Sequence, residues 1–165
     1  MVWKGSSMFK RLCPLSLAAA ISCAAAQAAP APIEAKIRSE VATEIAGINA
    51  QDPVKATAYE ADDMMFSECG KFATFGKASY RQGLAMTFKR EPAWHLSLVD
   101  EGITVAAAGN QAIYRSTYDE DSMRSGVPYT HKGDYVAGFR RDRDGLWRIH
   151  WSVVCWESPS HKKDG

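Results

Sequence analysis

GFRRDRDGLWRIHW, Gly138 to Trp151, is the stretch on which the reading of the fold turns. Asp144-Gly145 is a strong short-range hairpin signal, because glycine supplies the positive φ that tight turns need. Its flanks, KGDYVAGFRRD and LWRIHWSVVCWE, are apolar-rich and read as the two strands that the turn joins. Upstream, NQAIYRSTYDED reads as a further strand, separated from the hairpin by a polar loop around Ser125-Gly126-Val127-Pro128. WHLSLVDEGITVAAAG offers two apolar stretches, divided by Asp100-Glu101-Gly102 as by a turn. Everything after Pro92 therefore has strand character.

The segment before Pro92 changes period. In IEAKIRSEVATEIAGINAQD, Ile33, Ile37, Val41, Ile45 and Ile48 recur at helical spacing. Gln51-Asp52-Pro53 breaks that helix, with Asp52 suited to cap and Pro53 suited to the first turn of a short second helix over VKATAYEADD. MMFSEC reads as a strand and GKFATFGK as a glycine-punctuated loop. ASYRQGLAMTFKRE is a third helix, with Tyr80, Leu84 and Phe88 at four-residue steps. Helices followed by a meander of antiparallel strands predict an α+β domain of about three N-terminal helices on a strongly curved, mostly antiparallel mixed sheet.

Alternation along the strands assigns side chains to faces. Met64, Phe66 and Glu68 share one face, against Met65, Ser67 and Cys69. Tyr114, Ser116 and Tyr118 share another, as do Tyr135, Ala137 and Phe139. On the last strand Trp147, Ile149, Trp151, Val153 and Cys155 oppose Arg148, His150, Ser152, Val154 and Trp156. A sheet so rich in aromatics on both faces predicts cover on both, by the helices on one side and a second copy of the chain on the other.

The chain has 165 residues, 46% hydrophobic, enough for one domain with a substantial core. Twenty basic and 19 acidic residues, well mixed, give a net charge of +1, with no basic face for nucleic acid and no polybasic patch. Lys4, Lys10 and Arg11 precede LCPLSLAAAISCAAAQAA, which carries no charge. That pattern predicts a signal peptide over residues 1–29, with Ala26-Gln27-Ala28 as cleavage positions and a periplasmic or secreted mature chain. The apolar run is too short to predict a membrane span. Ala20-Ile21-Ser22-Cys23 leaves open a lipid anchor at Cys23. Removal of the leader would leave Cys69 and Cys155, a disulfide candidate in an oxidising compartment or two separate apolar thiols. His95, His131, His150 and His161 are too scattered to predict a metal site. No dinucleotide or phosphate loop is present, so no cofactor is expected. The tail, 159–165, is expected to be disordered.

The order of these pieces resembles the nuclear transport factor 2-like superfamily, whose members include SnoaL-like polyketide cyclases and ketosteroid isomerase. The resemblance spans Ile33 to Glu157. It rests on the tyrosine–acid–acid run YEADDMMFSECG (Tyr59 to Gly70), on Gly76-Lys77-Ala78, and on the Phe-x-x-Asp-x-Asp-Gly-x-Trp hairpin. It implies a cone-shaped domain over 30–158 with a pocket in its apolar interior. It also implies a small apolar or carbonyl-containing ligand and a homodimer. Laid on ketosteroid isomerase through the double aspartate, Glu68 falls where that enzyme keeps its general base. A carboxylate in an apolar cone has raised proton affinity and suits proton abstraction beside a carbonyl. The expected pocket residues are Tyr59, Asp62, Met64, Phe66, Tyr114, His131, Tyr135 and Trp151. Asp62 and Asp63 also suit helix-end or turn positions. No acid falls in register for the isomerase's second donor; Tyr135 or His131 is the substitute. Two readings stay open: an isomerase or lyase with Glu68 as base, and a non-catalytic binding or dimerisation module.

Overall fold

The computed structural model describes residues 30–71, 73–124 and 126–157, and the predicted leader with Cys23 and the predicted tail lie outside them. Three helices are followed or interleaved by six strands: α1 (Pro30–Asn49), α2 (Pro53–Ala56), β1 (Glu60–Glu68), β2 (Thr74–Phe75), α3 (Lys77–Arg90), β3 (His95–Val105), β4 (Gln111–Arg124), β5 (Val127–Arg141) and β6 (Trp147–Trp156). The strands form one mixed sheet in the order β2-β1-β6-β5-β4-β3. Only β1 and β6 run parallel; every other neighbour pair is antiparallel. The predicted α+β class is what the chain adopts.

The helices pack on one face of this sheet. On α1, Ile33, Ile37, Val41 and Ile48 are buried, as their spacing predicts. At its end Asn49 grips the start of β3, donating to the Leu96 carbonyl at 2.9 Å and accepting from the Leu96 amide at 2.8 Å. Asp52 caps α2 by accepting from the Val54 and Lys55 amides at 2.9 and 3.0 Å, and Pro53 opens the helix. On α3, Tyr80, Leu84 and Phe88 are buried, and the helix packs on β1 and β2. The inner sheet face contributes Tyr114, Tyr118, Tyr135, Phe139, Trp147 and Ile149 to the same core.

Three local expectations are corrected. The second helix ends at Ala56, and a turn then feeds β1 from Glu60, so the double aspartate lies on a strand. Asp62 and Asp63 are exposed there and end no helix. Asp100-Glu101-Gly102 is no turn: β3 runs straight through it, paired along its length with β4, and Val99 is an extra residue between Leu98↔Tyr118 and Asp100↔Thr117. A ladder on both sides outweighs three turn-forming residues, and the mismatch survives as a bulge.

The third correction concerns β6. His150 is an extra residue there, because Gly138 pairs with Trp151 whereas Phe139 pairs with Ile149. Alternation restarts after it. Trp147 and Ile149 face the core, and beyond the bulge Ser152 and Val154 do, while Trp151 is 36% exposed on the outer face. Val154 and Trp156, which the unbroken alternation put on the outer face, turn inward. The chain covers them itself, so they give no reason for a second subunit.

Among the described residues no helix is long and apolar enough to cross a membrane.

Candidate functional site

Between the helices and the inner sheet face lies a cavity of about 330 Å³, near the lower end of the range for small-molecule sites. Its walls include six aromatic side chains, Phe66, Tyr80, Trp94, Tyr118, Tyr135 and Trp156. Phe66 stacks on Tyr80 with centroids 4.6 Å apart. Set into these walls are four carboxyl groups, Glu44 on α1, Glu68 at the end of β1, Glu91 just after α3 and Glu120 on β4, with two cations, Lys71 and Arg90, and one imidazole, His131 on β5.

Register places His131 opposite Glu120 in the β4–β5 ladder. The side chains meet: Nε2 lies 3.0 Å from Glu120 Oε1, in a contact not aligned for a hydrogen bond. The other nitrogen, Nδ1, is 2.9 Å from the Tyr129 hydroxyl. Trp156 stacks face to face on the ring, 4.9 Å between centroids and 8° between planes. Gly133 makes that possible, since a Cβ there would fall 2.1 Å from the Trp156 ring. Burial pushes the Glu120 carboxyl up, partly offset by His131 and by Trp94. The pair is thus buried, held by Tyr129 through Nδ1, and carried by two residues that line the cavity.

Glu44 occupies another part of the cavity wall. It is 8% exposed. Oε1 lies 3.5 Å from the Tyr135 hydroxyl, and Oε2 is buried with no hydrogen-bond partner. Burial is the main cause, and nearby Glu60 the second, that raise its proton affinity well above the usual carboxyl range. Glu60 itself is 2% exposed, and burial pushes it up to about 7 against the pull of its own backbone, Lys77 and Arg81. The surrounding phenols of Tyr80, Tyr118 and Tyr135 are likewise pushed up by burial and stay neutral donors.

The predicted site residues divide. Phe66, Glu68, His131 and Tyr135 line the cavity. Glu68 sits with Lys71 and Thr74 among the lining residues; its side chain is 29% exposed and bonded to Lys71 Nζ at 2.6 Å. Met64 is buried in the core, 1% exposed, without reaching the cavity. Tyr114, fully buried, lies outside the lining and bonds to Glu101 at 3.0 Å and to Tyr118 at 3.4 Å. Tyr59 is on the surface side with the Lys36 ammonium 5.4 Å from its ring. Asp62 is exposed, and Trp151 is on the opposite sheet face.

Cys69 and Cys155 form a disulfide, Cα to Cα 4.9 Å, that ties the end of β1 to β6. Both half-cystines are flanked by cavity residues, Glu68 and Lys71 on one side, Val154 and Trp156 on the other. Among the described residues no group of His, Cys, Asp or Glu could hold a metal ion.

Glu44 and Glu120 were within reach of sequence reasoning. Glu44 follows Ile37 and Val41 on the buried face of α1, and Glu120 continues the inward alternation of Ser116 and Tyr118. An acid at such a position reads as a surface residue from the sequence alone. Glu60 falls within the predicted second helix and lies instead at the start of β1.

No protein-family profile matches the chain, and no curated protein matches it. Solved structures do. A nuclear transport factor 2-like superfamily protein from Salmonella enterica shares 15% identity with a TM-score of 0.70, over 83% of this chain and 99% of that one. A ketosteroid isomerase-like protein from Erwinia carotovora shares 18% at a TM-score of 0.61, covering 76% and 96%. A Streptomyces avermitilis protein, provisionally named a dehydratase of the NTF2-like family, shares 14% at 0.66, covering 77% and 97%. The chain has the nuclear transport factor 2-like fold. These likenesses carry the fold alone.

Proposed function

We propose that the chain is an exported small-molecule pocket protein of the ketosteroid isomerase-like or SnoaL-like kind. In this reading it moves a proton on an apolar carbonyl compound, as an isomerase or lyase. The observation that carries it is the His131–Glu120 pair. His131 lines the cavity, and its Nε2 is buried with no aligned hydrogen-bond partner within the protein. It would take a proton from the carbon beside the carbonyl, Glu120 would stabilise the imidazolium, and Tyr129 would fix the ring through Nδ1. Returning the proton to another carbon of the enolate gives an isomer; expelling a β-substituent with it gives a lyase product. Glu68 is the rival base, but its partial exposure and its bond to Lys71 suit it less to this task.

Export is supported by the leader pattern and by the Cys69–Cys155 disulfide, which suits an oxidising compartment. A homodimer through the outer sheet face is part of the same reading, on new grounds: Ile113, Gly138 and Trp151 lie side by side across three strands there, with Ile113 50% exposed.

The test is hydrogen exchange in heavy water. Purified protein is incubated with a panel of aryl and alicyclic ketones, and loss of the proton beside the carbonyl is followed by NMR. Exchange should be catalysed for at least one ketone and fall by about two to four powers of ten in His131→Gln. Glu68→Gln should change it little. An equal collapse in Glu68→Gln with His131→Gln near normal would move the base to Glu68. Ketones that bind without exchange would make the domain a binding module.

A further inference from the structure

In the middle of α3 stands a glycine that the fold does not require. The backbone of Gly83 is right-handed helical, so its conformation needs no glycine. A Cβ there would meet no neighbouring group within 4 Å, so packing needs none either. Every other described glycine has one of these two reasons. Five take a positive φ, and at Gly47, Gly102, Gly133 and Gly138 a Cβ would fall no farther than 2.8 Å from a neighbouring group. Inside a helix glycine is unfavourable, because it has the most backbone freedom to lose.

What Gly83 does is line the cavity, and with no side chain it does so with its backbone. We propose that Gly83 sets the size of what the cavity accepts: part of the bound molecule lies against the α3 backbone, in the space that any other residue would fill with its side chain. Close approach of a ligand to the main chain is a use of glycine that offsets its cost in a helix. The proposal rests on the cavity being a ligand site, as in the function proposed above, but it does not require any turnover.

The surroundings set the chemistry of that part of the ligand. Residues four apart share a helix face, so Ser79, Gly83 and Thr87, all lining residues, form one strip of the wall that is lowest at Gly83. Tyr80 and Leu84 beside it belong to the buried core. The two lining cations are engaged, Lys71 with Glu68 at 2.6 Å and Arg90 with Glu91 at 3.2 Å and Thr87 Oγ1 at 3.5 Å. The strip therefore suits an uncharged group, a ring edge or an alkyl branch. A leucine at 83 would take up a substantial part of the cavity's 330 Å³ and exclude that group.

The experiment compares two ketones of different width, methyl phenyl ketone and methyl naphthyl ketone, by calorimetry on the purified protein. The unsubstituted chain should prefer the naphthyl compound by about tenfold or more, from the extra apolar surface it buries. Gly83→Leu should bring the two affinities to within about twofold of each other. Gly83→Ala should raise the thermal midpoint by about 3 °C, because it only removes a glycine from a helix, and should lower the preference several-fold. Gln82→Leu, on the exposed side of the same helix, should leave the preference as it was. His131→Gln should abolish exchange and keep the naphthyl preference. Absence of exchange in the unsubstituted protein, with the preference as stated, would remove the catalytic reading and leave this one supported. An unchanged preference in Gly83→Leu would mean that nothing bound approaches the helix backbone, and a lower midpoint in Gly83→Ala would mean that the glycine is structural. Either result overturns the inference, as does failure of both ketones to bind.

Discussion

At the scale of single residues the unusual feature is the number of acids inside. Glu40, Glu44, Glu60 and Glu120 are all under 10% exposed in a domain whose core is otherwise aromatic and aliphatic. For Glu60 the consequence for stability can be signed. Its proton affinity is raised from an ordinary 4.5 to about 7, so the folded chain holds a proton that the unfolded chain releases. The corresponding stability is fully present below about pH 4.5 and is lost as pH rises through about 7, a loss on the order of 3 kcal/mol. Urea midpoints at about pH 5 and about pH 8 should therefore differ, and the gap should narrow in Glu60→Gln. An unchanged gap in that variant would mean the proton is held elsewhere.

Residue-level reading of the sequence was strongest where the partner is local and weakest where it is distant. Asp52 as a cap needs only the next three residues, and it caps as expected. Alternation puts Glu68 on the face of Phe66, and both line the cavity. The His131–Glu120 contact joins residues whose meeting depends on the β4–β5 register. That register is set by the turn between them and by the whole ladder, and no pattern within either strand announces it.

At the scale of elements, the hairpin at Gly138–Trp151 was legible because its turn chemistry and its flanks agree: Gly145 has φ of 83°, as the turn requires. The bulges at Val99 and His150 were not legible. Val99 and His150 are ordinary strand residues, and their extra place appears only against β4 and β5. The one at His150 matters most, since it turns Val154 and Trp156 into the cavity and Trp151 out of it. Gly133 tests this arrangement. Adding a methyl in Gly133→Ala should push Trp156 off the His131 ring, shifting tryptophan emission and weakening ketone binding several-fold; unaltered emission would contradict the stack. The disulfide acts at the same scale. It spans 86 residues of sequence and ties the parallel β1–β6 pair beside the cavity. Replacing both cysteines with alanine should lower stability by about 2–4 kcal/mol. It should also weaken ketone binding, because Glu68, Lys71, Val154 and Trp156 lose their common anchor. Unchanged binding would show that the ladder alone holds them.

At the scale of the whole molecule, the proposed dimer rests on Ile113 and Trp151, which lie on either side of Gly138 on the outer sheet face. Light scattering at micromolar concentration should report twice the mass of the processed chain, and Trp151→Arg should halve it. A monomer in the unsubstituted protein would end the dimer reading. N-terminal sequencing of exported protein should find a start near Pro30; a start at a modified Cys23 would make it a lipoprotein, and retained Lys10-Arg11 would contradict both.

The central claim is that the space between helices and sheet is a ligand site with an imidazole on one wall and a carboxyl on another. Isotope-edited NMR of bound methyl naphthyl ketone tests it most directly. The account predicts saturable binding, with contacts from the ligand rings to Phe66, Tyr118 and Trp156 and from its methyl group to the His131 ring. Contacts to Trp151 and Ile113 instead, or no saturable binding, would contradict it.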